Sequence, residues 1–193
     1  MPTQGRDAKG LPFSNLMWSR DRGASWTVGE AARSDTTECA VAALSDGSLL
    51  LNMRDNRNRR DKFATNGRAL SVTRDLGKTR AVHPADHGAL PEPTCMASMI
   101  SHTMKDRRHL LLFSNPNAKD GRHHITIQAS LDDGKTWPEK HRLLLDEGKG
   151  RGYSSLVTID SETVGIPYES SRANLVFQKV HLRNLDIEQG TLD

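Results

Sequence analysis

The sequence Ser130-Leu131-Asp132-Asp133-Gly134-Lys135-Thr136-Trp137 lies between two short runs of apolar residues, at 125–129 and 143–145. Two strands joined by a glycine-containing turn form a β-hairpin, and this stretch predicts one. The Asp132 carboxylate can accept hydrogen bonds from backbone amides of the turn, and Gly134 can adopt the positive φ that a tight turn requires. Trp137 offers a large apolar surface that can hold the hairpin against a core.

The same pattern occurs twice more, starting at Ser19 and at Thr73, so the copies that start at 19, 73 and 130 are 54 and 57 residues apart. The first copy ends in Trp26, whereas the second has Arg80 in place of the tryptophan. A repeat of roughly 50 residues is typical of one β-propeller blade rather than of a helical solenoid unit. The pattern is the Asp-box of sialidases (neuraminidases), and three copies at this spacing resemble that family. Because the Asp-box is a structural turn, the repeats indicate a fold and not a reaction.

At 193 residues, the chain predicts a single domain, residues 1–193, that is long enough to bury a hydrophobic core. Hydrophobic residues make up 35% and charged residues 26% of it, which is polar for a globular domain but unlike a disordered chain. Many short apolar runs alternate with turn residues, and this predicts an all-β fold. The resemblance implies a six-bladed propeller. With about 50 residues for each blade, this chain is long enough for a partial propeller of roughly three to four blades.

Composition and motifs also argue against several classes of function. No apolar run approaches the ~18 residues of a membrane span, and the first ten residues lack the apolar core of a signal peptide. This predicts a cytoplasmic protein, or a chain that begins inside a longer gene whose full-length product is secreted, periplasmic or lysosomal. Aromatic residues make up only 5% and are not interleaved with basic ones, which leaves nucleic-acid binding unsupported. No phosphate-binding loop occurs, and no cofactor is predicted.

Three smaller groups of residues have alternative interpretations. His83 and His87 are four residues apart, a spacing that places two zinc ligands on one face only if the segment is a helix. Pro84 and Gly88 beside them favour a loop, which makes a zinc site improbable. Cys39 and Cys95 permit one disulfide, although two free thiols are expected. The charged stretch 54–67 is long for a hairpin loop, and its basic cluster predicts either an anionic ligand or a solvated loop beside one useful arginine. The cluster consists of Arg54, Arg57, Arg59 and Arg60.

Four further segments resemble, in order and at suitable spacing, the second half of a bacterial or lysosomal-type sialidase, so that the match covers about residues 14–180. They are Thr37-Glu38-Cys39 with Asn52-Met53-Arg54, Leu90-Pro91-Glu92-Pro93-Thr94-Cys95, Ser114-Asn115-Pro116 with Arg122, and Gly152-Tyr153-Ser154-Ser155 with Tyr168-Glu169. The resemblance implies an exo-alpha-sialidase, a glycoside hydrolase that releases terminal α-linked sialic acid from glycans with retention of configuration.

The resemblance also assigns roles that suit this reaction. Sialic acid carries a carboxylate on the carbon that is attacked, and Arg54 and Arg122 match two members of an arginine triad that binds it. Tyr153 matches the nucleophile, since a neutral phenol is not repelled by that carboxylate. Free tyrosine has a pKa of about 10 and needs a base, and Glu38 matches the glutamate that takes its proton. Glu169 matches the glutamate that holds the first arginine of the triad.

The family's first triad arginine and its acid/base aspartate have no match in this sequence, where Arg6 and Asp7 stand in a different context. We therefore expect a C-terminal fragment of a sialidase, with weak or absent activity in the isolated chain. A non-catalytic glycan-binding or structural propeller module, and a trans-sialidase, are the alternatives. The expected partners are sialylated glycans, and the open edges of a partial propeller predict self-association.

Overall fold

Short strands separated by turns give this chain four antiparallel sheets, in agreement with the all-β prediction. The computed structural model describes residues 1–60 and 66–188; part of the predicted loop 54–67 and the end of the predicted domain 1–193 lie outside these ranges. The described residues form fifteen strands and three short 3₁₀ helices, without an α-helix. Within this part of the chain, no helix has the length and apolar character needed to cross a membrane.

The first two sheets hold the N-terminal part of the chain. Sheet 1 consists of β1 (Pro2–Arg6), β2 (Pro12–Trp18), β3 (Thr27–Val28) and β4 (Arg33–Ser34), with β1, β3 and β4 all paired to β2. Sheet 2 is a meander of β5 (Thr36–Ala43), β6 (Leu49–Asp55), β7 (Ala69–Thr73) and β8 (Ala81–Val82). The 3₁₀ helix Asn56–Arg59 directly follows β6 and opens the charged stretch.

The remaining strands form two more antiparallel meanders. Sheet 3 consists of β9 (Ser98–Thr103), β10 (His109–Pro116), β11 (Ile125–Ser130) and β12 (Arg142–Asp146). Sheet 4 consists of β13 (Val157–Thr158), β14 (Thr163–Glu169) and β15 (Leu175–His181). The 3₁₀ helices Glu139–His141 and Leu182–Leu185 directly precede β12 and directly follow β15.

One predicted strand is shorter than its sequence pattern suggests. The sequence predicts a hairpin with one strand over 153–159 and the other over 164–168, but in the first strand only Val157–Thr158 belongs to the ladder, with an isolated bridge between Ser154 and Tyr168. Between these two elements the amide of Leu156 donates to the Ser98 hydroxyl at 2.9 Å instead of to a neighbouring strand. The segment after Tyr153 is therefore held partly by side-chain contacts to sheet 3.

The Asp-box at 130–137 forms the turn that its sequence predicts. Asp132 Oδ1 accepts hydrogen bonds from the Ser130 hydroxyl at 2.7 Å and from the Thr136 amide at 2.9 Å. Gly134 has a φ of 81°, and its carbonyl accepts the indole N–H of Trp137 at 3.0 Å. The carboxylate thus closes the turn, and the tryptophan ring lies over the glycine.

The other two Asp-boxes repeat this geometry in different surroundings. The carboxylates of Asp21 and Asp75 accept hydrogen bonds from the equivalent positions of their own turns at distances of 2.7–2.9 Å. In the second copy the Arg80 side chain lies over the glycine in place of the tryptophan. Trp26 of the first copy is 47% exposed, whereas Trp137 is 5% exposed and packs edge-on against Phe113. The turn geometry therefore does not depend on burial of the tryptophan.

Successive side chains of a strand point to opposite faces of its sheet, and in the central strands of sheets 2 and 3 the side chains on both faces are buried. Leu50 of sheet 2 packs in a cluster with Leu111 of sheet 3, whereas its neighbour Leu51 packs with Leu16 of sheet 1. On the other face of sheet 3, Leu112 packs with Ile166 of sheet 4. The four sheets therefore stack face to face in chain order, as consecutive blades do.

The last sheet exposes apolar side chains on the side that faces away from this stack. On β15, Leu175 is 78% exposed and Phe177 57% exposed, while Val176 between them packs against the core. On β13, Val157 is 50% exposed, and its side chain approaches Gly165 of β14. We call the side chains of Val157, Leu175 and Phe177 the outer apolar face.

Candidate active site

The structure brings all five residues predicted for the site into one network of contacts, although they come from strands of sheets 2 and 4 and from the segments that follow β10 and β12. The Tyr153 hydroxyl donates to Glu38 Oε1 at 2.5 Å, across 115 positions of sequence. The other oxygen of the same carboxylate, Oε2, accepts from Arg54 Nη1. The Arg122 guanidinium lies 5.6 Å from the centre of the Tyr153 ring, and Glu169 accepts the Tyr153 amide at 3.1 Å.

A β-bulge directs Glu38 toward this network. In the pairing of β5 with β6, Thr37 lies opposite Arg54 and Cys39 lies opposite Met53, so Glu38 is the extra residue of the bulge. Its φ of 35° is unfavourable for a residue with a side chain, and its amide donates to the Gln4 side-chain oxygen at 2.9 Å. The bulge turns the carboxylate toward Arg54, which regular strand pairing would not do.

A close backbone approach positions Tyr153. Gly152 has a φ of 87°, and a Cβ atom on it would lie 2.7 Å from Pro116 Cγ and 3.3 Å from Arg122 Cβ. Only glycine fits this space without displacing its neighbours. The chain therefore passes close to sheet 3, and Tyr153 emerges beside Arg122.

The two arginines predicted to bind a carboxylate are held in different ways. Arg54 is 7% exposed and forms an ion pair with Glu38, while its Nε has no hydrogen-bond partner among the described residues. Arg122 donates to the carbonyl of Arg151 at 2.9 Å and to that of Thr94 at 3.2 Å. The side chain of Arg122 is thus fixed by neutral carbonyl groups and forms no ion pair within the described residues, although its charge lowers the pKa of Glu38.

Glu169 lies behind the nucleophile candidate rather than beside an arginine. Its carboxylate accepts the amide of Tyr153, and its own amide donates to the Tyr153 carbonyl at 2.9 Å. Within the described residues, Glu169 therefore orients the backbone at Tyr153. The resemblance assigns it a contact with a triad arginine, and that role stays a prediction.

Opposite pKa shifts localise the shared proton on the phenol. Burial raises the pKa of Glu38, but hydrogen bonds from Tyr153 and Arg54 and the charges of Arg54 and Arg122 outweigh it, so the pKa is lowered. The hydrogen bond to the Glu38 carboxylate, together with burial, raises the pKa of Tyr153. At neutral pH the pair is a neutral phenol that donates to a carboxylate, which is the starting state for general-base activation.

A cavity of about 640 Å³ adjoins this network on the side of sheet 1. Glu38 and Arg54 line one side of it, and it is of the size expected for a small-molecule site. Residues of β1, of the β1–β2 connection, of the start of β5 and of the 3₁₀ helix with Arg60 also line it, and Asp35 lies between β4 and β5 in the same wall. Among the described residues, no group of three or more His, Cys, Asp and Glu side chains is arranged to hold a metal ion.

A buried ion pair below the site was missed by the sequence analysis. Arg68 and Glu92 are both fully buried, and Arg68 Nη1 donates to Glu92 Oε2 at 2.8 Å. Arg68 also donates to the carbonyl of Cys95 at 2.8 Å, and Glu92 Oε1 accepts the amide of Asp55 at 3.0 Å. The position of Glu92 between two prolines is the one signal in the sequence that marks it as unusual. Because charged residues are usually exposed, a single sequence does not indicate that Arg68 and Glu92 form a buried ion pair.

A second network connects the end of β6 to the turn after β8. His87 Nε2 lies 2.7 Å from Asp55 Oδ2, and His87 Nδ1 lies 3.2 Å from Asp86 Oδ2. These two carboxylates raise the pKa of His87 to about 9. His83, by contrast, lies beside a backbone carbonyl at 3.1 Å. The two histidines predicted as improbable zinc ligands thus have separate partners.

Both cysteines are free thiols. Cys95 is buried between the segment at Gly152 and the Arg68–Glu92 pair, and burial raises its pKa to about 11. Cys39 is partly buried beside the Thr3 carbonyl, and burial raises its pKa as well. Both therefore act as packing groups at neutral pH.

Comparisons with known proteins give one consistent result. Residues 2–166 match a family model described as a BNR repeat-like domain. A sialidase from Bacteroides fragilis (strain YCH46) is 48% identical over 95% of this chain, and one from Micromonospora viridifaciens is 34% identical over 79% of it. The chain spans 33% and 23% of the length of these two relatives. The solved structure of a Hadza microbial sialidase superimposes with a TM-score of 0.86 at 48% identity, over 93% of this chain and 34% of that one.

Proposed function

This chain belongs to the sialidase family, and on that premise we propose that it carries part of the active site of an exo-alpha-sialidase with a tyrosine nucleophile. The observation that carries the proposal is the Glu38 carboxylate, which accepts from the Tyr153 hydroxyl and from Arg54 at the same time. A phenol, a base and a guanidinium in direct contact have consistent roles in one reaction. As isolated residues, each would be an ordinary surface or core side chain.

In the proposed reaction the Tyr153 oxygen attacks the anomeric carbon of sialic acid. The bond between that carbon and the leaving oxygen breaks as the new bond forms, and Glu38 takes the phenol proton. An acid must supply a proton to the leaving oxygen. Water then attacks the same carbon and gives a proton to the conjugate base of that acid, which restores the acid, while the phenolate leaves and recovers its proton from Glu38. Two displacements at one carbon retain its configuration.

The arginines account for recognition of the substrate carboxylate. Arg54 lines the cavity, and its contact with Glu38 uses Nη1, so other N–H groups of the guanidinium can donate to a ligand without breaking that contact. Arg122 is held by carbonyl groups and presents its guanidinium beside the Tyr153 ring. We propose that these two guanidinium groups bind the carboxylate and that Glu169 keeps Tyr153 in place.

The whole activity needs more than these five residues. The family's first triad arginine and acid/base aspartate have no match in this sequence, and the chain spans about a third or less of its two relatives. We therefore propose that residues 1–193 form one partial propeller of three to four blades with weak or absent hydrolysis by itself. Exposure of the outer apolar face supports self-association.

The proposal is tested by the release of fluorophore from a 4-methylumbelliferyl sialoside by the purified chain and by two variants. Tyr153→Phe removes the nucleophile, while Tyr168→Phe, which changes the only other tyrosine, is the matched control. We expect any activity of the wild type to be weak, to be kept in the control and to be lost in Tyr153→Phe. Activity that survives Tyr153→Phe contradicts the nucleophile assignment. Absence of activity in all three supports a fragment that lacks the rest of the site, or the alternative of a non-catalytic glycan-binding module.

A further inference from the structure

The basic cluster of the charged stretch divides into arginines with different surroundings. Arg54 is paired with Glu38. Arg57 donates through Nε to Asp55 Oδ1 at 2.7 Å and is ion-paired with the same carboxylate, which raises its pKa. Arg59 and Arg60 are exposed and have no ion pair with any residue of the described ranges. Within the described residues, two of the four charges are therefore paired with a carboxylate and two are not.

Arg59 and Arg60 line the same cavity as Glu38 and Arg54. Arg6 approaches it from β1, and its guanidinium donates to the Gly10 carbonyl at 2.7 Å, a neutral partner that leaves its charge uncancelled. Among the described residues of the cavity wall, Asp35 is the one other acid besides Glu38. When the Arg54–Glu38 pair is left out, this part of the wall carries three arginines, Arg6, Arg59 and Arg60, and one carboxylate.

From this charge distribution we infer that the cavity is a subsite for a second anionic oxygen group, a carboxylate or a sulfate, on the glycan whose sialic acid is held at Tyr153. Guanidinium groups recognise both anions through the same charged hydrogen bonds. A cavity whose wall carries an excess of positive charge also concentrates such ligands. The inference rests on the proposed function, because it assumes that Arg54 and Arg122 hold the first carboxylate.

The size of the cavity supports an occupant that is larger than one carboxylate. Its volume of about 640 Å³ lies on the sheet 1 side of Glu38, whereas Tyr153 and Arg122 lie outside its walls. If the sialic acid of a glycan binds at Tyr153, the cavity would therefore be occupied by the neighbouring sugar or by a substituent of that glycan. The two sources of the second charge are another sialic acid and a sulfate ester on galactose.

The test compares equilibrium binding of three non-hydrolysable thiosialosides to the whole chain by isothermal titration calorimetry. One ligand is a methyl thiosialoside with a single carboxylate, one is a sialic acid dimer, and one is a sialyl galactoside with a sulfate ester. At low salt we expect at least one doubly charged ligand to bind about tenfold more tightly than the singly charged one, the effect of one charged hydrogen bond. The dimer and the sulfated ligand distinguish the two sources.

Two double variants separate a local effect from a loss of net charge. Arg59→Ala with Arg60→Ala should abolish the preference for the doubly charged ligand. Arg20→Ala with Arg22→Ala removes two exposed charges from the first Asp-box turn and should leave the preference unchanged. A preference that persists without Arg59 and Arg60 overturns the inference.

Arg54→Ala separates this inference from the proposed function. If the wild type binds all three ligands equally and Arg54→Ala weakens them all, the subsite is wrong and the carboxylate clamp stands. If the doubly charged preference depends on Arg59 and Arg60 while Arg54→Ala has no effect, the subsite stands and the clamp is wrong. Binding of none of the ligands overturns both.

Discussion

Replacing Glu92 by glutamine is expected to destabilise the chain more than any ordinary charge-neutralising substitution. Glu92 is fully buried and accepts three hydrogen bonds, from Arg68 Nη1 at 2.8 Å, from Asn58 Nδ2 at 2.6 Å and from the Asp55 amide at 3.0 Å. Glutamine keeps the size of the side chain and one carbonyl oxygen. The main change is that the guanidinium of Arg68 loses its counter-charge inside the protein.

The magnitude follows from the burial of both partners. Removing one member of a buried ion pair costs about 3–5 kcal/mol, because the remaining charge is neither solvated nor paired. In a chain of this length, 1 kcal/mol shifts the melting temperature by about 2–4 °C, so we expect a drop of roughly 6–20 °C. Glu92→Leu, which also removes the acceptors for Asn58 and Asp55, should cost more.

The assay is urea unfolding followed by circular dichroism, with Glu30→Gln as the matched control at an exposed glutamate. The control should change the free energy of unfolding by no more than about 0.5 kcal/mol. An effect of Glu92→Gln below about 1 kcal/mol would refute the reasoning, since it would mean that water or a relaxed backbone already solvates Arg68.

Two further predictions concern the second ionic network and the outer apolar face. The pKa of His87 is raised from 6.5 to about 9, so its stabilising contribution is complete below pH 6.5 and disappears as the pH rises through 9. In urea unfolding, the free energy of unfolding of the wild type should fall by at most about 3 kcal/mol between pH 6.5 and 9, and this fall should be absent in His87→Gln. The same pH dependence in both proteins would contradict the prediction. The double variant Leu175→Lys with Phe177→Lys should reduce self-association in analytical ultracentrifugation, whereas Leu144→Lys at an exposed position of β12 should not. Equal sedimentation of the wild type and both variants would reject the outer apolar face as the contact.

The sequence predicted the local parts of this structure better than the long-range parts. The Asp132 turn could be predicted because its hydrogen bonds join residues at most four positions apart. Family resemblance, and not spacing, singled out Glu38 and Tyr153, because no local pattern relates residues 115 positions apart. The bulge at Glu38 was not predictable either, since it arises from the pairing of β5 with β6.

Burial of charge was the other feature that the sequence concealed. Arg57, Arg59 and Arg68 are the same residue type, yet one pairs with Asp55, one lines the cavity and one is fully buried. Their surroundings are decided by which sheet packs against which, and that order depends on apolar side chains elsewhere in the chain. A charged residue in a sequence therefore does not indicate its own partner.

The Asp-box turns have a consequence for the order of events in folding. Their hydrogen bonds span two to four residues, and loops of this size close within roughly 100 ns in an unfolded chain. The contact between Tyr153 and Glu38 instead closes a loop of more than a hundred residues and requires stacked sheets. The Asp-box turns can thus nucleate their hairpins independently, and Tyr153 meets Glu38 only in a late step, when the sheets have stacked.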